Sequence, residues 1–449
     1  MSEFTPWTLL IDAGMIGALL AVGVLLRAIM KSLQSLLIPA SFIAGFLGLA
    51  LGPNGLGLLP FSEELGTYAS VLIVVVFACL AMSDDFDFRK IKGPIVSFSA
   101  YGVLIYTAQV AVGILAVVLL LGPLFGADLT IGTLLFAGWA GGFGTAAALG
   151  DVYANAGHEE LRSLAFTSAT VGLLAGIIGG IIQAKIGAMR GHVKEFAGME
   201  SIPEDMRTGV LTGEDRRAPI GQHRFSGSSI ESLGFQVGII LAIAGAAYGV
   251  TTLLGNWFPA VSFPTFTVAF LVGLLVRGLF KAGRATKFVD RDTLSSISGS
   301  ATDILVVCGI ASIQLQAVAD NLLVMSILFV VGLVFCLGLG LLVAPRTLQD
   351  GWFEKQIFTW GWATGAVNTA IALLRIVDPK LKSGTLEDFA IAYIPVVPAE
   401  ITAVTFVPAL AMAGLAWPIL GIWGGIAAAA AVVLVIVTVR SRSATPAAA

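Results

Sequence analysis

Two apolar stretches of the sequence are interrupted by small and polar residues that are suited to binding carboxylates and ions. The first stretch, 130–149, contains AGGFGT at 140–145, and the second, 358–374, contains ATGAVNT at 363–369. Glycine allows a ligand to approach the backbone closely, and the start of a helix offers N–H donors to an anion. Hydroxyl and amide side chains add oxygen ligands for an alkali cation. The two interruptions together predict a site for a small carboxylate and a cation.

The predicted substrate-binding residues come from both interruptions. We expect the helix after the first interruption to begin near Thr145, so that the N–H groups of Thr145 and Ala146 are donors for the anion. The alternative is that each interruption is only a glycine-kinked helix that packs against its neighbours. Their occurrence as a pair favours function. The predicted residues are Gly141, Gly142, Phe143, Gly144, Thr145, Thr364, Gly365, Asn368 and Thr369.

One acidic residue, Glu400, lies well inside an apolar segment near the end of the chain. A carboxylate at membrane depth costs about 3 kcal/mol on insertion scales and therefore usually faces a partner or a cavity. Glu400 is thus predicted to bind a cation or to carry a proton. The structural alternative is an ion pair with a basic residue such as Arg375.

Three further residues are candidate cation ligands. Thr170 follows the first interruption, Asp84 closes one apolar segment and Asp303 opens another. Each has a simpler interpretation, because hydroxyls in membrane helices mostly bond to the backbone and acidic residues are common at solvated helix ends. For Asp84 and Asp303, the helix-end interpretation is at least as strong as cation binding.

The composition indicates which elements must position these residues. Of 449 residues, 57% are hydrophobic and 12% are charged, whereas soluble domains carry about 25% charged residues. The chain is therefore predicted to cross the membrane many times. Its net charge of −3 gives no indication of a nucleic-acid partner. Because the sequence has no phosphate-binding loop, nucleophile elbow or zinc-protease motif, we predict a non-enzyme without a cofactor.

Eleven segments are long and apolar enough to be candidate membrane-spanning helices. A polar stretch, 187–232, separates them into two groups and is predicted to be a cytoplasmic loop. The candidate spans are 7–29, 36–51, 66–82, 95–121, 164–185, 233–254, 264–280, 301–316, 322–344, 389–412 and 417–439.

The distribution of basic residues predicts the topology. If both interrupted stretches are re-entrant and the N-terminus is outside, all 25 lysines and arginines except Arg162 fall on the cytoplasmic side. If only the first interrupted stretch spanned the membrane, the basic central loop would lie outside, against the positive-inside tendency. We therefore predict two re-entrant segments, an external N-terminus and a cytoplasmic C-terminus.

The two halves of the chain resemble each other. IPASFIAG at 38–45 corresponds to FPTFTVAF at 263–270, FACLAM at 77–82 corresponds to VCGIAS at 307–312, and the interruptions occupy matching places. Five crossings separate the starts of the halves, which predicts inverted repeats with a binding site near the midplane. Chance similarity is the alternative, although three matches in one order disfavour it. The predicted domains are 7–186, a loop at 187–232, a second repeat at 233–413 and an extra helix at 417–439.

These motifs make the chain similar to the glutamate:sodium symporter family of bacterial secondary transporters, from about residue 36 to 408. The similarity depends on the order and spacing of short motifs. They are PASFIAG at 39–45, AGGFGTAA at 140–147, ATVGLLAG at 169–176, FPTF at 263–266, VG at 272–273, GWATGA at 361–366, TAIA at 369–372 and VVP at 396–398.

The resemblance implies sodium-driven uptake of glutamate across the bacterial inner membrane, by a homodimer in which a transport domain moves against a scaffold. The chain departs from the family pattern at Phe143, where histidine is usual, and at Asn368, where proline is usual. Trp362 and Ala363 replace glycine-rich sequence, and Glu400 and the final helix are additions. Another dicarboxylate, a hydroxycarboxylate or proton coupling therefore stays open. A channel or sensor on the same scaffold is the alternative of a different class.

Overall fold

The chain is all-helical in a computed structural model, which describes residues 4–83, 88–193, 204–211, 219–258, 263–348, 350–379 and 381–444. Nine helices within these ranges are long and apolar enough to cross a membrane, or ten when the bent pair Thr385–Ala392 and Val396–Met412 counts as one span. No β-strand occurs in the same ranges. The protein is therefore a multi-pass membrane protein, as the composition predicts.

Within the described residues, sixteen main helices, α1 to α16, follow one another. Short helical turns at Lys31–Ser35, Glu204–Thr208 and Leu315–Asp320 connect some of them. The helices are α1 Pro6–Ile29, α2 Ala40–Leu51, α3 Leu65–Ser83, α4 Pro94–Phe125, α5 Leu129–Gly138, α6 Gly142–Asn155, α7 Glu159–Met189, α8 Ser232–Trp257, α9 Thr265–Ala282, α10 Arg291–Ala311, α11 Leu322–Thr347, α12 Trp352–Thr364, α13 Val367–Val377, α14 Thr385–Ala392, α15 Val396–Met412 and α16 Ala416–Arg440.

Local sequence explains where several helices begin. The Thr5 side chain accepts a hydrogen bond from the Thr8 N–H at the start of α1, and Asp128 caps α5 in the same way. Asp290 caps α10 by accepting from the Thr293 N–H. Such side chains satisfy N–H groups that have no acceptor within the helix.

The helices form two bundles, and each half of the chain contributes to both. The first bundle contains α1, α2, α3, α8, α9 and α10, and the second contains α4 to α7 and α11 to α16. Helices α3 and α10 of the first bundle pack against α6 of the second. In each half, the first three main helices enter one bundle and the later helices enter the other.

A π-helical turn precedes each broken segment. The turn Val117–Leu121 lies directly before Gly122 and Pro123 in α4, and Leu339–Val343 lies directly before Ala344 and Pro345 in α11. Proline lacks an N–H group and disrupts the regular helical ladder, so a local change of helical pitch is expected there. A third π-helical turn, Leu420–Gly424, lies in the last helix, so the internal repeat itself stays a prediction. The inverted orientation of the two halves stays a prediction.

Three predicted spans differ from the helices. The predicted span 301–316 starts too late, since α10 begins at Arg291. The hydroxyls of Ser296, Ser300 and Thr302 donate to carbonyls four residues earlier, which lets a serine-rich segment remain helical. The span 36–51 is a helix of only 12 residues that follows Pro39, and the span 389–412 is bent by 52°.

Candidate functional site

The first interruption is a true break between two helices. Helix α5 ends at Gly138 and α6 begins at Gly142, whose φ of +61° lies in the left-handed region. A Cβ atom at this position would lie 2.5 Å from the carbonyl oxygen of Gly365. Since only glycine adopts this conformation without strain and allows this approach, residue 142 must be glycine for the two breaks to touch.

The second interruption is also a break. Helix α12 ends at Thr364, and α13 begins at Val367 after Gly365 and Ala366. The Ala366 N–H donates to the Gly361 carbonyl at 3.1 Å, which closes the end of α12. The expectation that both apolar stretches are broken is thus confirmed.

Helix α6 starts three residues earlier than the sequence predicts. The Thr145 N–H donates to the Gly141 carbonyl at 3.4 Å, so it is already part of the helical ladder. The first N–H groups of α6, which lack intrahelical acceptors, are instead those of Gly142, Phe143 and Gly144. The prediction that Thr145 and Ala146 supply free donors was therefore wrong, because the left-handed turn at Gly142 already starts the helix.

The first turn of α13 provides a second set of such donors. It comprises Val367, Asn368 and Thr369, of which Asn368 is exposed and Thr369 is buried. Because Gly365 lies two residues before this turn and contacts Gly142, the beginnings of α6 and α13 lie close together. Their combined partial positive charge favours an anion.

Two other predicted substrate residues, Thr364 and Phe143, make contacts of different kinds. The Thr364 hydroxyl is buried and donates to the Trp360 carbonyl at 2.7 Å, so its hydrogen is used within α12. The buried Phe143 ring packs edge-on against Phe42 of α2, with centroids 6.3 Å apart. Position 143, where the family usually has histidine, thus lies at the contact between the two bundles.

Glu400 joins the first break to α15. Its Oε1 accepts a hydrogen bond from the Thr145 hydroxyl at 3.4 Å, and its Oε2 accepts one from the Tyr393 hydroxyl at 2.5 Å. The structure records no ion pair between Glu400 and Arg375, although both residues are described. The structural alternative of an ion pair with Arg375 is therefore wrong.

Aromatic rings form a wall behind Glu400. The ring of Trp362 stacks on Tyr106 at 6.5 Å and meets Tyr393 edge-on at 5.5 Å. The hydroxyl of Tyr106 is fully buried and faces Glu400 and Thr145, but no acceptor or donor meets it in full hydrogen-bond geometry. This wall links α4, α12 and the bend between α14 and α15.

The other candidate cation ligands do not join Glu400. The Thr170 hydroxyl donates to the Phe166 carbonyl at 2.8 Å, which is the simpler interpretation of this residue. Asp303 is exposed in the middle of α10, not at its start. Asp84 lies outside the described residues. Within the described ranges, no group of three or more His, Cys, Asp or Glu residues is placed to hold a metal ion.

Sequence reasoning missed a residue that supports the second break. Gln109 of α4 is fully buried, and its Nε2 donates to the Ala363 carbonyl at 2.8 Å. The Ala363 carbonyl lies at the end of α12, where no N–H group of the helix donates to it. The Gln109 amide supplies the missing donor. The available signal was an amide side chain inside an otherwise apolar predicted span.

A buried ion pair lies at the start of α12. The Lys355 ammonium, in a side chain that is 2% exposed, is 3.0 Å from the Asp388 carboxylate. The same ammonium lies 5.7 Å above the centroid of the Phe98 ring. These contacts connect α12, α14 and α4, and so position the helix that leads to the second break.

Comparison with known families gives one finding. The family model described as sodium/glutamate symporter matches residues 9–382. The match covers both breaks and most of both bundles, and it ends before α14. None of the curated proteins matches the chain.

Proposed function

The chain belongs to the sodium/glutamate symporter family, and on this premise we propose that it is a sodium-coupled symporter of glutamate or a related small organic anion. It is a transporter of the multi-pass membrane class. The proposed substrate site is the space beside the contact between Gly142 and Gly365, where the two breaks meet.

The observation that carries this proposal is the approach of those two glycines. It brings the starts of α6 and α13 together, and the free N–H groups of both first turns are the donors expected for a carboxylate. A dicarboxylate or an amino acid would place its charged groups against these two helix ends. Two opposed breaks thus support an anion site better than either break alone.

The carbonyl groups at the ends of α5 and α12 are the proposed partners of sodium. Non-helical backbone at membrane depth is tolerated where protein or a water-filled cavity covers it, and it exposes carbonyl oxygens that a hard cation accepts. The buried Thr145 and Thr369 hydroxyls lie in the first turns of α6 and α13, which follow the two breaks. The same breaks would then hold both solutes, which makes their binding cooperative.

We propose that the second bundle moves relative to the first during transport, as an elevator. Both breaks belong to the second bundle, so the site would move with it. The contacts between the bundles include the Phe42–Phe143 ring contact and the 2.8 Å hydrogen bond between the Thr267 and Thr405 hydroxyls.

The assembly and topology are part of the same proposal. The repeats 7–186 and 233–413 would have opposite orientations in the bacterial inner membrane, with the N-terminus outside and the C-terminus in the cytoplasm. Basic loops support this orientation. Two copies of the chain would form a homodimer through their first bundles.

Uptake into proteoliposomes tests the function. Purified protein is reconstituted, and radiolabelled L-glutamate is supplied with an inward sodium gradient or with equal sodium on both sides. We expect accumulation only with the gradient, and counterflow with a panel of amino acids, dicarboxylates and hydroxycarboxylates ranks the substrates. Equal accumulation with and without the sodium gradient would contradict sodium coupling. A current that does not saturate with substrate would indicate a channel.

A further inference from the structure

Glu400 lies on the inner side of α15. The exposed side of this helix carries Pro398, Thr402, Phe406 and Ala409, which recur at helical spacing. Glu400 lies on the opposite side, is only partly exposed, and points toward α4 and α6. The carboxylate is thus held within the second bundle, away from the outer surface of the helix.

Its hydrogen-bond partners are all hydroxyl groups. Tyr393 and Thr145 donate to its two oxygens at 2.5 Å and 3.4 Å. Neither partner carries a positive charge. A carboxylate at membrane depth without a cationic partner is costly, and binding a proton removes its charge.

The helices packed against α15 bring no compensating charge. Helix α4 presents Tyr106 to Glu400, and the bend before α15 presents Tyr393. Helix α5 has no ionisable residue. On α6, Asp151 lies at the far end beside Arg162, and the Tyr153 hydroxyl bonds to Thr133. Among the described residues, the ionisable groups that face Glu400 are therefore the two tyrosines.

The Tyr106 hydroxyl can accept a hydrogen bond from a protonated Glu400. Its hydroxyl is fully buried, faces Glu400 and Thr145, and has no partner in full hydrogen-bond geometry. An unsatisfied buried hydroxyl is unfavourable. A protonated Glu400 has an O–H group to donate, and Tyr106 or Thr145 can accept it.

We propose that Glu400 binds a proton that is co-transported with the organic anion. The proton enters on the carboxylate oxygen from water on one side of the membrane and leaves to water on the other, so no covalent bond between heavy atoms changes. This inference rests on the proposed function. It adds a second coupling ion at a site distinct from the carbonyl groups of the two breaks.

Thr145 connects this proton site to the substrate site. It lies in the first turn of α6, close to Gly142, and it donates to Glu400 only while that oxygen is an acceptor. Protonation of Glu400 changes this hydrogen bond and therefore the contact between α6 and α15. Proton and substrate affinities are then reciprocally linked.

A pH gradient applied without a sodium gradient tests the proposal. Sodium is equal on both sides, the membrane potential is held at zero, and the lumen is one pH unit more alkaline than the outside. With one proton per substrate, the wild type should accumulate L-glutamate about tenfold. Glu400→Gln keeps the shape of the side chain and should lose the tenfold accumulation that the pH gradient drives. Glu387→Gln, which removes an exposed acid of α14, should behave like the wild type.

Three further outcomes decide between the proposals. If sodium drives uptake in the wild type but the pH gradient does not, the proton site is refuted and the symporter survives. If Glu400→Gln still accumulates substrate from the pH gradient, Glu400 is not the proton carrier. If no anion of the panel is carried under either gradient, the proposed function itself fails.

A second variant keeps the test valid if Glu400→Gln does not fold. Tyr106→Phe removes only the unpartnered hydroxyl, and we expect it to shift the pH at which uptake is half-maximal while sodium dependence is unchanged. A luminal pH-indicator dye should report substrate-dependent acidification in the wild type. A pH profile of Tyr106→Phe identical to that of the wild type, together with no acidification by the wild type, would overturn the proposal.

Discussion

The carbonyl oxygen of Gly365 occupies the place where a side chain on Gly142 would begin. A Cβ atom there would be only 2.5 Å from this oxygen, while real Cβ atoms essentially never approach within 3.0 Å. The two glycines come from breaks in opposite halves of the chain. This one contact joins the halves at the point where the first turns of α6 and α13, with their free N–H groups, begin.

Replacing Gly142 by alanine should separate the two breaks. The left-handed backbone at this position costs an L-residue about 1–2 kcal/mol, and the methyl group must displace the Gly365 carbonyl. We expect substrate affinity to fall at least tenfold, measured by binding in the presence of sodium. Gly425→Ala in α16 is the matched control, since no atom lies within 4 Å of its Cβ position. Wild-type affinity in Gly142→Ala would argue against a site at this contact.

Gln109→Leu should weaken the second break. The substitution removes the hydrogen bond to the Ala363 carbonyl and leaves that buried acceptor without this donor, at a cost of about 1–3 kcal/mol. Thermal unfolding in detergent should show a midpoint several degrees lower than that of the wild type. Gln316→Leu, at an exposed position, serves as the control and should be nearly neutral. Equal midpoints for Gln109→Leu and the wild type would show that the bond does not stabilise the break.

The Lys355–Asp388 ion pair should stabilise the position of α12. Asp388→Asn removes a carboxylate partner from a lysine that is 2% exposed, and breaking a buried pair in this way costs about 3 kcal/mol. Lys355→Met should cost less, because Asp388 is 30% exposed and remains hydrated. The double variant should recover part of the loss in a double-mutant cycle. Strictly additive effects would mean that the two charges do not interact.

Asp290 should make the attachment of the central loop to α10 sensitive to acid. Burial by itself raises the pKa of this carboxyl, but hydrogen bonds from Thr293, Gln222 and Arg224 outweigh burial and lower the pKa below its usual value. A group with a lowered folded-state pKa contributes stability above its unfolded pKa of about 3.9 and loses it as the pH falls through the folded value.

Thermal unfolding as a function of pH measures this contribution. The difference in midpoint between the wild type and Asp290→Asn should be constant from pH 8 to pH 5 and shrink below about pH 4. Asp292→Asn, at an exposed position in the first turn of α10, should show no such difference. A gap that grows on acidification would reverse the sign and contradict the assignment.

The membrane-spanning architecture could be predicted because its signals are local. A helix that crosses the bilayer needs an apolar run, and a break needs glycine or polar residues within that run; both are visible in the sequence around Gly142 and Gly365. The start of α10 was mispredicted because Ser296 and Ser300 satisfy their hydroxyls on the helix's own carbonyls. Because serine lowers the mean hydropathy, hydropathy alone assigns the start of α10 to a loop although it is helical.

The partners of the site residues could not be predicted from the sequence. Thr145 and Glu400 are 255 residues apart along the chain, and only the packing of α6 against α15 brings them together. Tyr106 and Tyr393 lie in ordinary stretches of sequence, without any motif. Similarly, nothing local indicates that the Thr364 hydroxyl bonds within its own helix while Thr145 reaches across to another.

Protection of a cysteine at position 368 from labelling reports whether substrate binds where the two breaks meet. Asn368 is exposed in the first turn of α13, and the three native cysteines are buried, so Asn368→Cys provides a single reactive thiol for a maleimide. We expect L-glutamate with sodium to slow labelling severalfold, neither solute alone to do so, and labelling of Ser228→Cys in the central loop to be unaffected. Equal labelling rates at position 368 with and without both solutes, in protein that transports, would place the substrate elsewhere.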